Sequence, residues 1–484
     1  MAHALAPEVH AKLQASPLSS ADLQLLLGQS QPVMSRILSE LTEQGDIVAL
    51  GRSRARIYAA TDRIPGLSVA VPTYRVGQLG EAKLYGGLVP LSSDRMAFVD
   101  PRGNFEIFSG LPWFFHDMRP QGFLGRLFTR AHPELFGSAD GQLDMTPRVS
   151  EWSDRDVLHA LSVRGEDCVG DLILGEESLR RFKTNVSHPP LVVDPQAAYP
   201  EMAIATLLHG SAGSSAGGEQ PKFLASVRRP DGQVAHVLVK FSGPTDSAVD
   251  ERTRDLLLAE NQAQIAIAES PFDVVASASR VIRAGGRVFL EVDRFDRIGE
   301  SGRRGTLSLG VLDAQFLGRT GSWSSLADGL EEQELISPAD ADRIRFLYYF
   351  GEFIGNTDMH PWNLSFFRPP DLQARVFTLA PAYDMLPMTY APVSGEIVER
   401  DDRTYCMRSG SGKDVDIQRE ALRCALLYWQ NVAALNDISD SFKTIVARNL
   451  KNLQSIPSKG ANQFLVSRVE SADRPHHRRS HGLK

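Results

Sequence analysis

The most specific chemistry in the sequence lies in "FIGNTDMHPWNLSFF", where Asp358, His360 and Asn363 share one loop. A carboxylate followed five residues later by an amide suits phosphoryl transfer. The acid accepts the proton of an attacking hydroxyl, and the amide oxygen is a hard ligand for Mg2+. Downstream, "ARVFTLAPAYDMLP" reads as a buried β-run followed by Asp384 in a turn, a second oxygen ligand for the same ion. Taken alone, the loop also fits an Asn/Asp/Pro turn, or a transition-metal site built on Asp358 and His360.

Elements further upstream bear on that choice. "GSAGSSAGGEQPKF" has the composition of a flexible linker, yet glycines also let backbone N–H groups cradle phosphates. It matches neither GxxxxGK[ST] nor GxGxxG. The adjoining stretch, "PKFLASVRRPDGQVAHVLVKF", predicts two strands joined by a Pro-Asp-Gly turn, with Lys240 at the end of the second. "VDERTRDLLLAENQAQIAIAES" predicts a helix with Leu256, Leu257, Ala263 and Ile267 on one apolar face, and Glu260 falls on that face. A carboxylate there needs a partner, and a strand Lys paired with a helix Glu is how protein kinases hold the α/β-phosphates. An edge lysine and a snorkelling glutamate are the bland alternatives. Lys240, Asp358, Asn363 and Asp384 occurring together in this order favour phosphotransfer over a linker and a turn.

The acid loop must be presented by the preceding helix, which starts at Ser337-Pro338, runs through Ile344, Leu347 and Tyr348, and ends at Gly355. Between Pro65 and Pro200, short β-runs ("EAKLYGGLVPL", "MAFVDPRGNFEIFSG") alternate with helical ones ("RDVLHALSVRG"), and "GLPWFFHDMRPQGFLGR" reads as a packed turn. The N-terminal segment predicts helix, tight turn, helix and hairpin. Leu23, Leu26 and Leu27 form one stripe closed by Gly28. Ser30 caps the next helix, in which Val33 or Met34, Ile37, Leu38 and Leu41 face inward, and Gly45 stops it. Gln31, Ser35 and Arg36 are left on the open face, where the second helix of such a pair meets the major groove. Strands Ile47–Leu50 and Arg56–Ala59 form a wing carrying Arg52, Arg54 and Arg56. The pattern resembles the winged helix-turn-helix of small bacterial repressors. A protein-docking module is the alternative, since residues 1–62 hold five basic groups against six acidic ones.

Composition bounds the remaining classes. With 484 residues, 42% of them apolar and 23% charged, the chain is an ordinary multidomain globular one. A formal charge of −7 excludes generic polyanion binding, so any nucleic-acid contact must be a local basic patch. Cys168, Cys406 and Cys424 are too scattered for a disulfide framework or a CxxC zinc site. No apolar run is long enough for a membrane span, and the N-terminus lacks a signal-peptide pattern, so the expected compartment is the cytoplasm, nucleoid-associated when DNA-bound, with no membrane partner. The tail "RPHHRRSHGLK" is basic, without apolar periodicity, and is expected to be disordered.

The motifs "SAGGEQPK", "VLVKF", "LAENQ", "VDRFDR", "FIGNTDMHPWNLSF" and "LAPAYDMLP" resemble the HipA family of serine/threonine kinases, toxins of bacterial toxin–antitoxin systems. "GLPWFFHDMRPQGFLGR" resembles that family's N-terminal subdomain, and the likeness runs from about Arg75 to about Leu453. The fused N-terminal module lies outside the usual family pattern and is similar to the YjjJ-like subgroup. The resemblance implies an α+β, bilobal protein-kinase-like fold with a largely helical C-lobe, using ATP and Mg2+. It implies that Lys240, paired with Glu260, binds ATP with His360 and the glycine loop at Gly217 and Gly218. Asp358 would be the base, and Asn363 and Asp384 the magnesium ligands. Backbone from Glu291 to Phe295 would form the hinge that meets adenine. Ser214, with Ser211 and Ser215 close by, would be autophosphorylated. The implied partners are a protein substrate, which in the family includes aminoacyl-tRNA synthetases, DNA through the N-terminal module, and an antitoxin.

The expected units are 1–62 (winged helix-turn-helix), 63–150 (N-terminal subdomain), 151–300 (N-lobe), 301–458 (C-lobe) and 459–484 (tail). The competing reading is a DNA-binding regulator whose kinase-like module senses nucleotide, or docks a partner, without transfer.

Overall fold

Apolar residues at helical spacing close the N-terminal unit. The computed structural model describes residues 2–136, 145–184, 189–210, 220–244, 247–369, 376–398, 405–407 and 412–456. Helices α1 (Ala2–Ala15), α2 (Ser20–Leu27) and α3 (Gln31–Glu43) precede the antiparallel hairpin of β1 (Ile47–Leu50) and β2 (Ile57–Ala60). Helix α1 is an addition to the sequence reading, although Leu5, Val9 and Leu13 recur at helical spacing. Val9 and Leu13 are fully buried against Leu23, Met34 and Ile37. Ser19 and Asp22 form a capping box on α2, and Gly28 ends it in the left-handed region at φ +60°. The expected Leu23/Leu26/Leu27 stripe needs correction. The helix packs along Leu23 and Leu27, which leaves Leu26 on its flank, 56% exposed.

The middle unit is a five-stranded antiparallel sheet, ordered β6-β5-β4-β3-β7. Its strands are β3 (Val71–Val76), β4 (Ala82–Leu91), β5 (Arg95–Val99), β6 (Phe105–Ser109) and β7 (Leu172–Leu174), and helices α4 (Gly122–Ala131), α5 (Asp154–Arg164) and α6 (Glu176–Thr184) accompany it. Because β7 pairs with β3, and α5 and α6 flank it in the chain, residues 151–184 belong with this sheet. That moves the expected boundary from 150 to beyond Thr184. A three-residue strand is too short to announce itself by alternation.

The next sheet carries Lys240. Strands β8 (Leu191–Val192), β9 (Lys222–Arg228), β10 (Val234–Phe241), β11 (Ser279–Ala284) and β12 (Arg287–Asp293) run in the order β11-β12-β10-β9-β8 and are flanked by α7 (Pro195–Gly210) and α8 (Ala248–Ala268). Side chains alternate between its faces. Val237, Val239, Phe241 and Phe289 pack on Tyr199 and Ala203 of α7. Lys240 and Leu290, register partners, share the other face, over the apolar side of α8.

The hairpin β13 (Arg297–Ile298) and β14 (Gly302–Arg303) leads into a helical half. A small sheet of β15 (Thr306–Ser308), β16 (Ser365–Phe367) and β17 (Thr378–Leu379) is embedded among α9 (Leu309–Leu312), α10 (Trp323–Glu332), α11 (Pro338–Ile354), α12 (Gly412–Ala433) and α13 (Asp440–Gln454). Helix α11 begins at Ser337-Pro338 and ends at Gly355, φ +84°, as its residues predict. Among the described residues of the β-run expected before Asp384, Thr378–Leu379 is strand, Phe377 is buried and bridges to Ile336, and Val376 is exposed. The architecture is thus mixed α+β with a helical carboxyl-terminal half. Among the described residues no helix is long and apolar enough to cross a membrane. The basic tail falls outside the described residues.

Phe350 of α11 is fully buried, and its ring meets Phe346 and Tyr428 of α12 at about 6 Å between centroids. Truncation there removes an aromatic from a close-packed core. Phe350→Ala should therefore cost about 3–5 kcal/mol, read as a lower urea midpoint of the carboxyl-terminal half.

Candidate active site

Strands β9 and β10, the first turns of α8, the loop after α11, the Asp384 turn and the start of α4 enclose one cleft of about 700 Å3. It brings together Lys240, Asp358, His360, Asn363 and Asp384, which are scattered over the sequence. Gln121, Gly122, Phe123 and Leu124 also line it. The end of "GLPWFFHDMRPQGFLGR" is therefore cleft wall, a correction to its reading as a packed turn alone.

Lys240 Nζ donates to Glu260 Oε1 at 2.6 Å and to Asp384 Oδ1, and Lys240 is only 3% exposed. Burial works against the ammonium charge, but Asp384 and Glu260 outweigh it and hold Lys240 well above the ordinary lysine range. Burial pushes the Glu260 carboxyl up to about 7, further than Lys240 draws it down. Asp384 is likewise penalised by burial, yet Lys240, Lys222 and His360 hold it below the usual carboxylate range. It is the more firmly ionised of the two. Asp384 has φ +55°, a conformation that Asp tolerates better than most residues.

Two residues that sequence reasoning missed complete the site. Lys222 lies opposite Lys240 in the β9–β10 register, lines the same cleft, and takes no ion pair among the described residues. The signal was available, because counting back across the Pro-Asp-Gly turn pairs the two lysines. Asn356 is 1% exposed. Its Oδ1 accepts the Asp358 backbone N–H at 3.0 Å, and its Nδ2 donates to the Asp384 carbonyl at 3.4 Å. One amide thereby ties the two acid-bearing loops together.

The Asp358 carboxylate is half exposed, with His360 Nε2 at 3.8 Å. Asn363 Nδ2 donates to the Asp358 carbonyl at 2.9 Å, which leaves its Oδ1 available to a cation. Trp323 Nε1 donates to the His360 carbonyl at 3.0 Å and pins the loop to α10. Beyond Asp358 and His360 a second cavity of about 450 Å3 opens, lined by Tyr348, Glu352, Thr357 and Met359. Asp358 stands between the two spaces.

Other expected site residues lie elsewhere. The Glu291 carboxylate is turned to the α7 face, where Tyr199 OH and Arg229 Nη1 each donate at 2.5 Å. Phe295 packs on Tyr383 and Phe367 with centroids 5.6 and 5.9 Å apart. Neither side chain lines the cleft. Gly217, Gly218 and Ser214, with Ser211 and Ser215, fall outside the described residues. Gln31, Ser35, Arg36, Arg52, Arg54 and Arg56 are all exposed on the N-terminal unit and do not line the cleft.

Residues 67–183 match the family model of the YjjJ-like toxin middle domain, and residues 214–451 that of the HipA-like C-terminal domain. Toxin YjjJ of Escherichia coli (strain K12) is 33% identical over 451 residues, covering 92% of this chain and 97% of that protein. Among solved structures, a chain of the Shewanella oneidensis MR-1 toxin–antitoxin complex of HipA, HipB and operator DNA is similar over 79% of this chain and 95% of its own, at 14% identity and a TM-score of 0.46. The Helicobacter pylori proinflammatory kinase CtkA is similar over 48% of this chain and 90% of its own, at 12% identity and a TM-score of 0.32.

The two carboxyls facing Lys240 should contribute to stability in opposite pH windows. The pKa of Asp384 is depressed on folding, so its contribution is complete above its ordinary value of 3.8 and lost as pH falls through the folded one. Glu260 is raised from 4.5 to about 7, so its penalty grows between those values as pH rises. Thermal melts against pH should show a flatter acid limb for Asp384→Asn and a flatter slope from 4.5 to about 7 for Glu260→Gln.

Proposed function

Because the chain belongs to the HipA-like toxin family, in its YjjJ-like branch, we propose that it is an ATP- and Mg2+-dependent serine/threonine protein kinase. The observation that carries this reading is the convergence of the Lys240–Glu260 pair with Asp358, Asn363 and Asp384 on one cleft.

Lys240 and Lys222 would bind the phosphates of ATP, Lys222 bringing a second ammonium that takes no ion pair among the described residues. His360, in the same wall, would contact them as well, and the backbone of Gly217 and Gly218 would cover them. The backbone from Glu291 to Phe295 would meet the adenine, leaving the Glu291 side chain to its ion pairs. Asn363 Oδ1 and the Asp384 carboxylate are hard oxygen donors in one cleft, a donor set that suits Mg2+ shared with phosphates. When bound, the ion would supply neutralisation of phosphate charge.

Asp358 would accept the proton of a substrate serine or threonine hydroxyl entering from the second cavity. The hydroxyl oxygen bonds to the γ-phosphorus, the bond from that phosphorus to the bridging oxygen breaks, and ADP leaves. Asn356 positions this base and the Asp384 turn together. In the cytoplasm the substrate would be a protein, with aminoacyl-tRNA synthetases as the family's precedent. Autophosphorylation at Ser214 would place a dianion where ATP phosphates bind and so compete with them. The N-terminal helices and wing would bind DNA for autoregulation, and family membership supports an antitoxin partner.

Asp358→Ala should reduce transfer of labelled phosphate, to the protein itself or to a target, by about 10²–10⁴-fold without changing the circular dichroism spectrum. Equal labelling by the variant overturns the assignment. Nucleotide binding without transfer by the native chain favours a sensor instead. Phosphosite mapping after incubation with Mg2+ and ATP should find Ser214, and Ser214→Ala should lose that site. A phosphate on Ser211 or Ser215 alone would reassign it.

A further inference from the structure

Arg36, Arg52, Arg54 and Arg56 are exposed, and none takes an ion pair among the described residues. The next arginine in the chain, Arg63, is by contrast paired with Asp46 at 3.4 Å. Arginines left without carboxylates on one small unit are the footprint of an anionic partner.

The unit that carries them is joined to the middle unit by packing and hydrogen bonds. The apolar side of the β1–β2 hairpin shares a core with the middle sheet, in which Leu50 and Ala59 are buried with Val89, Leu91 and Ala97. Backbone bonds cross the junction, with Asp62 N–H donating to the Pro90 carbonyl and Ser92 N–H to the Ala60 carbonyl, each at 3.0 Å. The carboxyl end of α1 is tied in as well, since Arg95 Nη2 donates to the Gln14 carbonyl at 3.1 Å. The hairpin, a two-stranded sheet of its own, is thus joined to the middle sheet by a shared core and an isolated antiparallel bridge from Thr61 to Leu91.

At its tip the wing lies on the turn between β5 and β6. Gly51 approaches Phe105 so closely that a Cβ there would sit 2.8 Å from the ring, and a Cβ on Gly103 would sit 2.8 Å from Arg52 Nε. The adjacent Arg102 is exposed and also lacks an ion pair among the described residues. Its acidic neighbour Asp100 is engaged by the turn itself, accepting from Arg102 N–H, Asn104 N–H and Asn104 Nδ2, each at 2.8 Å. Arg102 thus extends the unpaired arginines of the wing across the unit boundary.

Resting on the reading of the N-terminal unit as a DNA-binding module, we propose that the double-stranded DNA footprint includes the middle unit, with Arg102 contacting the phosphate backbone beside Arg52. Such a contact adds affinity and register without reading bases.

Fluorescence anisotropy of the full chain with a 30-base-pair mixed-sequence duplex, at several salt concentrations, tests this. Arg102→Ala should bind about three- to tenfold more weakly at low salt, and the slope of log affinity against log salt should shrink by about 0.9. Arg102→Lys should restore most of both, and phosphate transfer should not change in either variant. If Arg36→Ala weakens binding while Arg102→Ala leaves affinity and slope untouched, the extension is wrong and the N-terminal DNA reading stands. No duplex binding by the native chain at low salt overturns both.

Discussion

Taking an ammonium group out of water costs several kcal/mol unless opposite charge and hydrogen bonds replace the lost solvation. Lys240, at 3% exposure, meets that cost with two carboxylates from different parts of the chain, Glu260 on α8 and Asp384 on the turn after β17. The requirement links otherwise separate elements. Strand β10 must face α8 for Glu260 to reach it, and the loop from the helical half must fold back over both. Asn356 carries the constraint onward, because the amide that holds the Asp384 carbonyl also orients the Asp358 backbone. A charge buried in one half of the molecule thereby sets the position of an acid in the other.

The charge balance around Lys240 bears on what the cleft admits. Glu260 and Asp384 already face Lys240, and burial raises Glu260 towards neutrality. Lys222, next to Lys240 in register and lining the same wall, adds a second cation that helps hold Asp384 ionised and takes no ion pair of its own among the described residues. The cleft thus sets a second cation beside an ion pair whose Asp384 member is also a candidate metal ligand. An anionic ligand entering here gains Lys222 directly and competes with Asp384 for Lys240, and an accompanying cation gives Asp384 a new partner. That exchange suits a phosphate ester delivered with a divalent ion better than it suits an apolar ligand.

Much of this was legible because the signals were local. The hairpin, the α8 stripe with Glu260 on it, the caps of α11 and the spacing from Asp358 to Asn363 each needed only a short window. What stayed hidden depended on pairing across the chain. Helix α1 gains its meaning from the core it closes, and β7 from an edge of β3 some hundred residues away. Lys222 required the register of a hairpin to be counted rather than its presence noted. The Leu26 error came from assigning an eight-residue helix one broad apolar face when its neighbours touch only the line through Leu23 and Leu27. The aromatic segment at Trp113–Leu124 read as packing because its packing is real. Only the tertiary placement of α4 shows that its first turn also faces the cleft.

The middle unit occupies a position that neither end of the chain explains alone. Its sheet packs on the β1–β2 hairpin through a shared core, and its α4 forms part of the cleft wall. Between them runs a series of direct polar contacts. Leu111 N–H, just past β6, donates to Asp154 Oδ2 at 2.6 Å, Asp154 pairs with Arg119, and Asp117 accepts from Ser308 N–H and Oγ at 2.6 and 2.7 Å. Ser308 is the register partner of Ser365 on β16, the strand just downstream of Asn363. These contacts and the short chain segments between them connect the unit that carries the exposed arginines to the strand beside the acid loop. A linker would leave two modules without shared contacts; here packing and hydrogen bonds join them through the middle unit.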